Sequence, residues 1–192
     1  TAMDVFGVKE KDVDDLTRRH AKAVNFGIVY GISDFGLSNQ TQLSLKDAKK
    51  FINDYFKTYP NIKKYLDAQV EFCEENGYVK TMLNRRRYIN EISDRNYMMR
   101  EFGKRAAMNA TIQGSAADLI KIAMVNAYAE IKKNKLKSKL ILQVHDELIF
   151  DVPKDELETM KKLIGDVMSN AYKLKCKLDY SFAVGKDWYE AK

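Results

Sequence analysis

Leu140-Ile141-Leu142-Gln143-Val144-His145-Asp146-Glu147-Leu148-Ile149-Phe150-Asp151-Val152-Pro153 sets two short apolar runs on either side of three polar residues. The first run ends at Val144 and the second starts at Leu148. Ile, Val, Leu and Phe dominate both, which is the composition of buried strands. Pro153 closes the second run, because proline cannot donate to a sheet ladder. The stretch reads as a β-hairpin over 139–153 with His145, Asp146 and Glu147 at its tip. Such a tip is chemically odd. Adjacent acids repel each other, and a plain hairpin turn prefers Asn-Gly or Asp-Gly. Two readings stay open: an exposed polar turn, or rigid strands that carry a carboxylate to a point where a cation sits.

The chain around this hairpin has 192 residues, enough for a core of one or two domains. Thr1 rather than a methionine opens it, which points to a piece of a longer protein. No apolar stretch is long enough to span a bilayer and no signal peptide is evident, so no membrane partner is expected. Cys73 and Cys176 form no CxxC and no Cys/His cluster, which argues against a zinc site and suits a reduced intracellular protein. Lys and Arg total 33 against 27 acids, a net charge of +6, which makes a polyanion such as nucleic acid a plausible partner.

Outward towards the N-terminus, residues 12–31 carry a helical period, with Gly31 as the stop. Arg18, Lys22, Phe26 and Tyr30 recur every four residues, so they share one slowly drifting face. The face is cationic in its first half and aromatic in its second. Aligned like charges at this spacing cost roughly 0.2–0.5 kcal/mol, and an anion along the helix reverses that cost. A nucleotide fits, with phosphates on Arg18, Arg19 and Lys22 and a base by the rings. A basic solvated end joined to a packed aromatic end fits equally. Ser33 and Ser44 read as N-caps, the latter with Asp47 in a weak capping box. Helices are expected over 44–59 and 61–75, broken at Pro60, with a turn at Asn76-Gly77. Residues 78–82 and 87–92 look β-like around a basic loop holding Arg85, Arg86 and Arg87. Those arginines suit phosphate contacts or plain solvation. Asp94 is expected to cap a helix over 95–109, followed by a second helical stretch over 111–133. Arg105, Asn109 and Gln113 form a polar row there, either an exposed face or a set of donors for base edges and sugars. After the hairpin come an amphipathic helix over 154–173 and a closing strand over 177–184. The fold class is α+β.

Several of these segments carry a resemblance. Arg18-Arg19-x-x-Lys22-x-x-x-Phe26-x-x-x-Tyr30-Gly31 resembles the nucleotide-binding helix, motif B, of family A DNA polymerases of the bacterial polymerase I type. Thr81-Met82-Leu83-Asn84-Arg85-Arg86-Arg87-Tyr88 is similar to that family's TxxGRRRY loop. Arg105-x-x-x-Asn109-x-x-x-Gln113-Gly114-Ser115-Ala116-Ala117-Asp118 resembles its primer–template segment, and Gln143-Val144-His145-Asp146-Glu147 its motif C. The four come in the family's order and span nearly the whole chain.

The resemblance implies a mostly helical fingers subdomain over 1–95, then part of a palm over 96–192 with an antiparallel hairpin and sheet packed on helices. It implies template-directed DNA synthesis from a dNTP by a two-metal mechanism, in replication or repair. Arg18, Arg19 and Lys22 would hold the triphosphate, Lys22 as a catalytic group. Phe26 would lie by the sugar and base, and Tyr30 at the templating position. Arg85, Arg86, Arg87, Arg105, Asn109, Gln113 and His145 would contact primer and template. Asp146 would bind Mg²⁺, with Glu147 beside it. The partners implied are a DNA primer-template, a dNTP and the upstream part of the same polymerase. The helix would close on a paired nucleotide with Gly31 or Gly36 near a hinge. There are departures. Asn84 replaces the loop glycine, and a proline usual after the loop is absent near Asn90. Motif A, with the family's other metal-binding Asp, would lie upstream of Thr1, so the isolated chain is expected to be inactive. The competing reading is a non-catalytic nucleic-acid-binding module derived from a polymerase. The HDE tip and the RRRY loop disfavour a single-subunit RNA polymerase, and the lack of YxDD disfavours a reverse transcriptase.

Overall fold

The computed structural model describes residue 3, residues 8–41 and residues 43–191. Residues 1–8, which the sequence reads as the end of a helix with Gly7 as its stop, lie almost wholly outside them. The chain forms two compact units, Thr1–Gln113 and Gly114–Lys192. Helices dominate, with two small antiparallel sheets, the α+β class expected. No helix among the described residues is long and apolar enough to cross a membrane.

The first unit begins with a 3-10 turn at Glu10–Asp12 and helix α1, Asp15–Val29. The start comes later than the expected residue 12. Asp14 stays extended, and its carboxylate accepts from the Thr17 N–H at 2.7 Å, so the cap falls there. At the other end Gly31 takes φ +71°, and the Ile32 N–H reaches back to the Gly27 carbonyl at 2.8 Å. This is the left-handed closure that favours glycine. Helix α2, Asp34–Thr41, is capped by Ser33, whose Oγ accepts from Gly36 N–H at 3.1 Å. Helix α3, Leu45–Thr58, is capped by Ser44, which accepts from the Asp47 N–H at 3.1 Å and donates to its carboxylate at 2.6 Å. Helix α4, Pro60–Asn76, opens on its proline and ends at Gly77, φ +74°. Val24 and Ile28 of α1 pack into one core with Leu37, Ala48, Phe51 and Tyr55.

A second core gathers Cys73, Val79, Ile89, Ile92, Ala107 and Ala110. It joins α4 to the hairpin of β1, Tyr78–Lys80, and β2, Arg86–Tyr88, and to helix α5, Tyr97–Lys133. The second β-like run is short because Asn90–Ser93 coils into a 3-10 turn. The two helical stretches expected over 95–133 are one helix. The Thr111 hydroxyl bonds back to the Ala107 carbonyl at 3.0 Å, so this β-branched residue rides in the helix without breaking it. The start also moves. Asp94 caps Asn96 N–H at 2.7 Å, Asn96 caps Met98 N–H at 2.8 Å, and the helix proper begins at Tyr97. Gly103 is where the 3-10 turn meets α5. A Cβ there would stand 2.7 Å from Ile92 N and 2.8 Å from Glu91 C, both backbone atoms. Gly103→Val is therefore expected to destabilise the fold by about 1–3 kcal/mol. Gly103→Ala should lose less, since alanine regains about 0.5–1 kcal/mol of helix preference. Thermal melts check this order; a valine variant that melts with the parent contradicts it.

In the second unit, β3, Lys139–Val144, pairs with β4, Glu147–Asp151. Leu142 faces Ile149 and Val144 faces Glu147, with a bulge between Leu140 and Leu142. Two features differ from expectation. The tip is two residues, His145 and Asp146, because Glu147 is already in the ladder, and His145 takes φ +52°. The strands are not buried: Ile141 is 59% exposed and Leu142 45%. Among the described residues each strand pairs only with the other, and a two-stranded ribbon has a second face to leave open.

A 3-10 turn at Lys154–Glu156 leads into helix α6, Leu157–Ser169, shorter than the 154–173 expected. Its end is set where the Asn170 side-chain amide donates to the Asp166 carbonyl at 2.8 Å. Met160 and Gly165 are buried along it. The strand expected over 177–184 is absent; the segment is irregular. Side chains hold it instead of a ladder. Tyr180 stacks with Phe182 at 6.3 Å, the Lys161 ammonium lies 5.3 Å from the Phe182 ring, and the Tyr180 hydroxyl covers Gly165.

Candidate functional site

The period of α1 decides which side chains face solvent. Ala21, Val24 and Ile28 turn inward, so Arg18, Lys22 and Phe26 point away from the core. Phe26 is 50% exposed, so its ring is not packed away, while Tyr30 is half-buried. The stripe is continuous. The Lys22 ammonium lies 5.9 Å from the Phe26 ring, and that ring lies 6.1 Å from Tyr30. Asp15, Arg18, Arg19 and Lys22 line a shallow open depression at the N-terminal end. Three cations beside the positive end of a helix dipole favour an anion there.

The other end of the stripe rests on α5. A Cβ on Gly31 would stand 3.1 Å from Arg105 Cγ and 3.1 Å from Met108 Cε. The Gly31 turn thus brings Tyr30 to the start of the Arg105, Asn109 and Gln113 row. Arg105 and Asn109 are half-buried and Gln113 is exposed. Asn109 Oδ1 is buried and has no hydrogen-bond partner among the described residues. Leaving an acceptor so costs about 1–3 kcal/mol, and a donor from a ligand would recover it.

The basic loop is built by Thr81, itself nearly buried. Its hydroxyl accepts from Leu83 N–H at 3.3 Å and Arg85 N–H at 3.2 Å, while its N–H donates to the Arg85 carbonyl at 2.9 Å. Asn84 sits at φ +62°, a backbone region that Asn enters more readily than most residues. Arg85, Arg86 and Arg87 are exposed, but not alike. The Arg86 guanidinium stacks on Tyr78 at 4.9 Å, and Tyr78 meets Tyr88 and Phe72, each at 5.6 Å.

The hairpin tip belongs to the second unit. His145, Asp146 and Glu147 are all exposed there, and the His145 carbonyl accepts from the Gln143 side-chain amide at 2.6 Å. Among the described residues no group of three or more His, Cys, Asp or Glu could hold a metal ion. Asp146 and Glu147 alone fall short of the six oxygen ligands that magnesium takes, so the described residues do not build a metal site by themselves.

Sequence reasoning missed one polar anchor. The Glu156 carboxylate accepts from Lys137 N–H at 2.8 Å, Ser138 N–H at 2.9 Å and Ser138 Oγ at 2.6 Å. The Lys137 backbone amide, with Ser138 beside it, holds this carboxyl below the usual range. No local pattern signals a contact across that sequence separation.

Comparison with known proteins accords with this geometry. The family described as DNA polymerase family A matches residues 1–190. DNA polymerase I of Bacillus subtilis (strain 168) is 50% identical over all of this chain, and that of Geobacillus stearothermophilus 48%. The chain spans 22% of the length of each. Among solved structures, the POL domain of Pol1 from M. smegmatis, in complex with DNA primer-template and dNTP, superposes with a TM-score of 0.94 at 40% identity. That match covers 99% of this chain and 34% of the other. A family match over nearly every residue, on a fold shared at that level, shows that the chain belongs to DNA polymerase family A.

Proposed function

We propose that the chain is the fingers and C-terminal palm portion, over 1–95 and 96–192, of a DNA-directed DNA polymerase used in replication or repair. The reaction transfers a nucleotidyl group: the primer 3′-oxygen forms a bond to the α-phosphorus of a dNTP, and the bond to pyrophosphate breaks. The observation that carries this reading is the outward stripe of α1. Cations, the exposed Phe26 ring and the half-buried Tyr30 ring run in the order of a nucleotide's phosphates, sugar and base. Arg18, Arg19 and Lys22 bind the triphosphate and offset its charge as pyrophosphate leaves, which is positioning plus electrostatics. Phe26 flanks the sugar and base, and Tyr30 stands at the templating position. Arg105, Asn109 and Gln113 touch primer and template; minor-groove acceptors depend little on sequence, so such contacts report pair shape. Arg85, Arg86 and Arg87 contact backbone phosphates, and His145 the primer end.

Polymerases of this family generally depend on a divalent metal. In this reading Asp146, with Glu147 beside it, supplies one carboxylate to an Mg²⁺ site for two ions, and the other carboxylate lies on a segment outside these residues. Closure of α1 on a paired nucleotide, with Gly31 or Gly36 near the hinge, belongs to the same reading. It follows that residues 1–192 alone do not extend a primer. A primer-extension assay of this chain with Mg²⁺ and dNTPs, beside the full-length polymerase, tests it. Extension by the full-length protein only is expected. Robust extension by the short chain would refute the need for an outside carboxylate, and no extension by either would favour a non-catalytic module.

A further inference from the structure

Residues 132–139, Lys-Lys-Asn-Lys-Leu-Lys-Ser-Lys, connect α5 to β3 and carry five lysines without one acid. All five are exposed. From 135 to 139 exposure alternates: Lys135, Lys137 and Lys139 face water, Leu136 is half-buried and Ser138 is buried. Lys135 sits in the turn that ends α5, at φ +52°, and Lys137 and Lys139 follow on the run that leads into β3.

The connector is held in place. The Glu156 carboxylate grips the Lys137 and Ser138 amides from behind, and the Lys137 ammonium also favours its charged form. Lys135 closes α5, its N–H donating to the Lys132 carbonyl at 3.1 Å, while the Leu136 N–H donates to the Ile131 carbonyl at 3.1 Å. Lys135 does this at φ +52°, at the position where glycine is preferred. A lysine thus stands where glycine would relax the backbone. Nearby acids take up part of the charge. Glu130 pairs with Lys133 at 2.9 Å, and Asp151 lies across the ladder from Lys139. The Lys132 ammonium lies 5.5 Å from the Tyr128 ring. Glu156 takes up part of the Lys137 charge.

We propose that the connector 132–139 is a docking surface for the phosphate backbone of duplex DNA, made of none of the residues assigned above to nucleotide, primer or template. It has five exposed ammonium groups with no acid among them and no aromatic side chain of its own. It therefore lacks the stacking platform that single strands need and reads no base. Its role is to hold the protein on DNA through counterion release. The inference rests on the reading of DNA as the partner, and its test has a separate readout.

The full-length polymerase carrying Lys132→Gln, Lys135→Gly and Lys137→Gln together is compared with the parent for binding a fluorescent blunt duplex across a salt series. The slope of log K against log salt should become shallower by about 2–3, at about 0.9 for each phosphate that is no longer neutralised, with at least a roughly tenfold loss of affinity at low salt. Single-nucleotide incorporation at saturating primer-template should be unchanged, and Lys135→Gly alone should melt no lower than the parent. An unchanged salt slope in a folded variant overturns the proposal. So does a loss confined to anionic phosphatidylserine vesicles with duplex binding intact. Absence of incorporation in the parent would instead count against the polymerase reading and leave the salt slope to judge the surface.

Discussion

Asp146→Asn in the full-length polymerase is expected to lose primer extension by about 10²–10³-fold while binding primer-template as the parent does. Removing one group that stabilises transition-state charge costs on the order of 10²–10³ in rate, and in the proposed function Asp146 acts in this way by holding Mg²⁺. It is the second of two tip residues on a paired ribbon, Val144 and Glu147 closing the ladder just behind it. The preceding residue, His145, holds a positive φ, which aims the tip at some backbone cost. The side chain is exposed, so its charge is open to a cation. Asn keeps the shape and tolerates the turn, so the fold should survive. Extension rates and primer-template affinity measured side by side check this. A variant that extends near the parental rate would return the tip to the status of an ordinary polar turn.

That tip was legible in sequence because its signals are local: two β-rich runs, a polar knot and a closing proline. The caps at Ser33 and Ser44, the break at Pro60 and the turn at Gly77 were legible for the same reason. The α1 stripe needed only the helical period; the exposure of Phe26 and the partial burial of Tyr30 depend on packing that the period does not show. Other features depend on contacts distant in sequence. Arg86 looked equivalent to Arg85 and Arg87 until Tyr78 was seen beneath its guanidinium. The seat of Gly31 on Arg105 and Met108, and the approach of the 3-10 turn to Gly103, join segments far apart in the chain. The strand expected over 177–184 failed because alternation shows which residues share a face but not whether a free ladder edge is at hand. The start of α1 moved because Asp14, not the helical period, places the first turn.

Lys22→Ala is the second large effect expected, and it bears most directly on the claim that the α1 stripe is a nucleotide clamp. Alanine is the best helix former, and Lys22 is exposed and absent from the core, so the variant should fold as the parent does. What disappears is the last cation of the stripe, between the arginines and the rings. An ammonium facing a triphosphate acts as a charge on the leaving group, an effect of about 10²–10³-fold for one such group. Phe26 also loses the ammonium 5.9 Å from its ring, a smaller term of about 0.5–1 kcal/mol at an exposed site. The decisive measurement is single-turnover incorporation by the full-length polymerase over a range of dNTP concentrations, parent against Lys22→Ala, with primer-template saturating. A fall of about 10²–10³-fold in the ratio of maximal rate to dNTP dissociation constant, with primer-template affinity unchanged, is the predicted result. An unchanged ratio would contradict the assignment of α1 as the element that holds the incoming nucleotide.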